Sequence, residues 1–114
     1  MNKLDAILAM EERYPEMTTK FKDIQQQQYE LFCAKMLNYG TANIALGTDL
    51  RTADDIKMSL SGIWFRMNDK IQRLKQLVVL GFPDTVGESV TDTFSDLSVY
   101  GILAQIIPSG KWAK

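Results

Sequence analysis

The chain has no histidine, a single cysteine and no uninterrupted apolar run long enough to cross a bilayer. The missing imidazole removes the usual general base, the commonest zinc ligand and every histidine-containing nucleophilic triad. Cys33 alone cannot close an internal disulfide, so an oxidising compartment is not required. An excess of positive charge is lacking too. Thirteen Lys and Arg face fourteen Asp and Glu, a net charge of -1. No overall basic field therefore draws the chain onto nucleic acid, although a local basic patch stays open. There is no glycine-rich phosphate loop, no dinucleotide fingerprint, no CxxC and no nucleophile elbow. The first residues, Met1 to Asp5, carry no long apolar run, and Glu11 and Glu12 follow closely. Neither a signal peptide nor a membrane span is expected, and the expected address is the cytoplasm.

What is present describes an ordinary globular chain. At 114 residues, with 46% hydrophobic and 24% charged, it suits one domain, 1–114, able to close its own core. The periodicity predicts an all-α fold, a compact bundle of four to five helices. A short helix is expected over Leu4 to Tyr14, ended by Pro15. A second runs from Thr18 or Thr19 to about Asn38, with Phe21, Ile24, Gln28, Leu31, Phe32, Lys35 and Met36 on one stripe. Gln25 to Gln28 reads as a solvated face. Gly40 suits a left-handed helix end, and a loop is expected from Thr41 to Arg51.

A third helix opens near Thr52 or Asp54, with Asp54 and Asp55 at the positive end of its dipole. Gly62 predicts a kink or break. Beyond it, Ile63, Met67, Ile71, Leu74 and Leu77 or Val78 form the expected buried stripe. Val78-Val79-Leu80 would tolerate a strand. The cluster Gly81-Phe82-Pro83-Asp84 is a turn. The last helix is expected from near Gly87 to about Ile107, with Val90, Phe94, Leu97, Ile102 and Ile106 inward. Lys111 to Lys114 would be a tail.

Three constellations carry candidate chemistry. Glu88, Asp92 and Asp96 recur at intervals of four, which stacks three carboxylates on one helical face. Such a row asks for compensation by basic groups of a neighbouring helix or by a divalent cation, and hard oxygen ligands suit magnesium or manganese. A solvated acidic face that favours the helix N-terminus is the alternative. Arg66, Lys70 and Arg73 share a second face and can converge on one anion, with Asp69 beside them as an ion-pair partner or a metal ligand. The alternative there is a salt-bridged surface. Lys35, Asn38, Tyr39 and Gly40 make a phosphate-and-base corner in which Tyr39 would stack. The plainer reading is a core plug and helix cap. Of Trp64 and Phe65, one is expected in the core and the other at a pocket or interface. Cys33 is expected to be a small core residue.

Three blocks carry a family resemblance: Lys35 to Gly40, Ser61 to Leu74, and Glu88 to Tyr100. Together they resemble the nucleotide modification associated domain 1 family, small proteins found largely in bacteriophages and prophages. The resemblance implies a nucleotide or nucleotide-derived phosphate compound as ligand and, if phage-encoded, a host-cytoplasm address. Lys35, Asn38, Tyr39, Trp64, Arg66, Lys70 and Arg73 would meet phosphate and base. Asp69, Glu88, Asp92 and Asp96 would hold magnesium. The acidic helix is also similar to that of the MazG-like all-α nucleoside triphosphate pyrophosphohydrolases, which implies water attacking a phosphoanhydride with a carboxylate as base. Their first acidic motif, two glutamates three apart, is not matched: Glu11 and Glu12 are adjacent and Glu30 stands alone. Two further readings remain open. One is a non-enzymatic sponge that sequesters a cyclic-nucleotide or NAD-derived immune signal. The other is a structural helical interaction module. In each case a homo-oligomer is expected.

Overall fold

The structure, a computed structural model, describes residues 2–114, and every described element is helical. The helices are α1 (Lys3–Arg13), α2 (Pro15–Tyr39), α3 (Ala42–Ala45), α4 (Ala53–Leu74) and α5 (Val90–Ile106). A π-helical turn, Lys75–Val79, extends α4, and a 3₁₀ turn, Ile107–Ser109, ends α5. No strand occurs among the described residues, so the all-α expectation holds and Val78 to Leu80 do not form one. None of the helices is long and apolar enough to cross a membrane. The chain divides into two units, one ending at Lys35 and the other running from Met36 to Lys114.

In the first unit, Asn2 caps α1: its Oδ1 accepts the Asp5 N–H at 2.8 Å. Tyr14 leaves helical geometry at φ -134°, ψ 64°, because the following proline ring disfavours the α conformation there. Pro15 was expected to mark only an end. It also opens α2, where its missing N–H costs nothing and its fixed φ is already helical. Thr18 Oγ1 donates to Tyr14 O at 3.0 Å, and Lys22 pairs with Glu11 at 2.9 Å across the junction. Neither α1 nor the whole of α2 contains a buried residue.

The second unit has a core. Gly40 sits at φ 77° with its N–H on Met36 O, the left-handed helix end expected of it. The anticipated loop contains α3, whose Ile44 and Ala45 are buried. Thr52 caps α4 by accepting the Asp55 N–H at 3.1 Å, and Ser59 Oγ donates to Ile44 O at 2.7 Å, stitching α4 to α3. The α4 helix passes through Gly62 without interruption, so no break forms there; a glycine weakens a helix by about 1 kcal/mol but need not end it. Ile63 is buried as expected, whereas Ile71 and Val78 are about half exposed. The wider π turn follows and shifts the register on which a regular stripe depends.

Ser89 caps α5, accepting the Asp92 N–H at 3.0 Å, so the helix starts at Val90 instead of Gly87. Its inward residues are Thr93, Leu103 and then Ile107, while Phe94 and Ile102 are exposed. Val90, Leu97 and Ile106 are half-buried, so the expected face and the inward one overlap only in part. Trp112 is not part of a loose tail. It is buried, and its Nε1 donates to Thr41 O at 3.2 Å, 71 residues away. Ile44, Ala45, Leu50, Ile63, Leu103, Ile107 and Trp112 make the apolar core.

Candidate functional site

The main contact between long helices in the second unit is α4 against α5, and the charged residues meet along it. Lys70, in the next-to-last turn of α4, sends Nζ to Asp96 at 2.9 Å and to Glu88 at 3.4 Å. Arg73 lies three residues on, so it shares that face. Its guanidinium donates to the Glu88 carbonyl through Nη2 and to Thr93 Oγ1 through Nε at 3.2 Å. It also approaches the Asp84 carboxylate at 3.4 Å and that of Glu88 at 3.8 Å.

Position follows from local structure. Asp96 lies three residues beyond Thr93 on α5, so one face presents the carboxylate and the hydroxyl together. Thr93 is fully buried, and its hydroxyl also donates to Ser89 O at 3.3 Å. Glu88 precedes the Ser89 cap and is therefore outside the helix, contrary to the expected three-carboxylate row. Extended backbone at Ser89 (φ -70°, ψ 150°) leads into the helix after Glu88. Asp84 belongs to the turn, where its Oδ1 accepts the Val86 N–H at 3.0 Å.

The electrostatics follow these contacts. The Asp96 hydrogen bond raises the Lys70 pKa above its ordinary 10.5, opposed by partial burial and helped by the charges of Asp96 and Glu88. The Val86 N–H lowers the Asp84 pKa below its ordinary 3.8, with Arg73 adding to that effect. Two cations, Lys70 and Arg73, face three carboxylates, Asp84, Glu88 and Asp96, which leaves the cluster at a formal net charge of -1.

The structure thus brings together Lys70, Arg73, Glu88 and Asp96 of the expected site residues. Arg66 is half-buried and Asp69 exposed. Asp92 is exposed in the first turn of α5. Tyr39 and Asn38 are exposed at the end of α2. Trp64 and Phe65 are both exposed and meet edge to face at 5.4 Å, so neither fills the core. Lys35 is exposed on α2 at the end of the first unit. Among the described residues no group of three acidic or cysteine side chains is gathered as a metal cage.

Sequence reasoning missed Asp84 and Thr93. For Asp84 the signal was the turn cluster itself, since an aspartate there commonly bonds the backbone two residues on. For Thr93 it was the spacing of three to Asp96. Comparison of the chain with protein-family models, with curated proteins and with solved structures finds no match.

Proposed function

We propose that the second unit binds a nucleotide or nucleotide-derived phosphate compound along the α4–α5 seam, together with a divalent cation. The approach of Lys70 and Arg73 to one carboxylate, that of Glu88, supports this most directly, because an ammonium and a guanidinium three residues apart suit phosphate oxygens. The net negative charge of the cluster favours a cation-bound phosphate over a bare one. Glu88 and Asp96 are the carboxylates that would face magnesium, which commonly takes one or two carboxylates, several waters and the ligand's phosphates. When bound, it would neutralise phosphate charge. Lys70 and Arg73 would then exchange carboxylate partners for phosphate oxygens. Arg66, one turn before Lys70, extends the cationic face.

Thermal shift with a panel of nucleoside triphosphates, cyclic nucleotides and NAD-derived compounds, each with and without magnesium, tests this reading. Binding raises apparent stability, and a ligand at one hundred times its Kd adds about 2.7 kcal/mol. The expected result is a magnesium-dependent shift that Lys70→Gln and Arg73→Gln abolish. Pyrophosphate release would then mark a hydrolase, and recovery of intact ligand a sequestering protein.

One observation favours a second reading, a helical interaction module. Lys70 and Arg73 already have protein carboxylates as partners. On that reading no ligand of the panel shifts the transition, with or without magnesium.

A further inference from the structure

The α2 helix poses a separate problem. Met17, Phe21, Ile24, Gln28 and Leu31 recur at intervals of four, three, four and three, the spacing of a coiled-coil seam. Phe21 is 65% exposed, Met17 57%, Leu31 45% and Ile24 42%. A 25-residue helix with this stripe in water lacks the tertiary packing that normally stabilises helices.

Area indicates the size of what is missing. The chain exposes 8617 Å². A compact monomer of its mass exposes roughly 6,300 Å², and even two separate compact bodies of 35 and 79 residues would expose only about 7,500 Å². The surplus of roughly 1,100 Å² belongs to the whole chain, and the exposed Met17, Phe21, Ile24 and Leu31 contribute to it; a standard stable interface takes ~800 Å² from each partner.

Charge indicates the occupant. Beside the seam lie Thr18, Lys20, Gln25 and Gln27, of which only Lys20 is charged, while Lys22, Asp23 and Glu30 fall on other faces. Two copies can therefore approach through this stripe with little like-charge repulsion, and the glutamine run becomes the neutral border of an interface. Phe21 also borders an apolar notch of about 550 Å³ with Ala6, Ile7 and Met10 of α1, so the apolar surface continues past the seam.

We infer that the Met17–Leu31 stripe of α2 is a self-association surface, covered by the same stripe of a second copy. The interface is isologous, and Gln28 is a polar residue within it that weakens pairing.

Sedimentation equilibrium of the full chain, from roughly 1 to 100 µM, tests the assignment. The expected wild-type result is twice the 12.9 kDa chain mass at the upper concentrations. Phe21→Glu/Ile24→Glu should be monomeric throughout with the helical circular dichroism retained, and Val79→Glu, at an exposed position outside the seam, should remain dimeric. Gln28→Leu should tighten association on the order of tenfold, a gain that misfolding cannot mimic. A wild-type monomer at every concentration, a dimer that survives the double charge substitution, or one lost in Val79→Glu would overturn it.

Discussion

The α2 and α4 helices are of similar length, 25 and 22 residues, and both carry apolar side chains at helical spacing. Yet α4 buries Ser59 and Ile63 and packs against α3 and α5, whereas α2 buries nothing. An apolar stripe describes what a helix is able to bury. A neighbour decides whether it does. The second unit provides its own neighbours, including a Trp112 that returns from the far end of the chain. In the first unit α1 borders α2 near Phe21 without burying any residue of it, and the proposed partner of the stripe is a second copy.

The largest expected effects lie in the core of the second unit. Ile63→Ala or Leu103→Ala should cost about 2–5 kcal/mol in urea unfolding, through lost burial and the cavity left behind. Ile24→Ala, measured below the concentration at which copies associate, should change stability by roughly 0.5 kcal/mol or less. Equal losses at Ile63 and Ile24 would erase the contrast between the regions. Next is Ser59→Ala, which leaves the Ile44 carbonyl buried without its donor and should cost about 1–3 kcal/mol. Arg73→Gln should cost about 1–2 kcal/mol, since Glu88 and Thr93 lose a shared donor on a partly solvated seam.

The smallest effects concern pH. The folded-state pKa of Lys70 is raised, so its contribution is complete below 10.5 and disappears as pH rises through the higher folded value. The Asp84 pKa is lowered, so its contribution is present above 3.8 and disappears as pH falls through the lower folded value. Melting temperatures of wild type and Lys70→Met should therefore converge only at strongly alkaline pH. Convergence near neutrality would mean that the Asp96–Lys70 pair contributes nothing.

Much of this was legible in the residues. Thr52 before two aspartates marked a helix start, and Gly40 after Tyr39 marked an end, because caps are local chemistry. The shared face of Lys70 and Arg73 also followed from spacing, whereas their pairing with carboxylates across α4 and α5 was only the alternative reading. Other features depended on distant partners or on register. The α5 helix is apolar on several sides, so Phe94 and Ile102 looked as suitable for the core as Leu103. Glu88 was expected one turn before Asp92 on a helix, but Ser89 caps that helix and leaves Glu88 to approach Lys70 from the loop. Burial of Trp112 required Thr41, which no local pattern announces.

Hydrogen exchange at several protein concentrations tests the central contrast most directly, because it reads local opening along the chain. Amides of α4 and α5 should show the same protection at every concentration, while those of α2 around Phe21 to Leu31 should gain protection as copies associate. Protection of α2 equal to that of α4 at the lowest concentration, or no gain at the highest, would contradict the account.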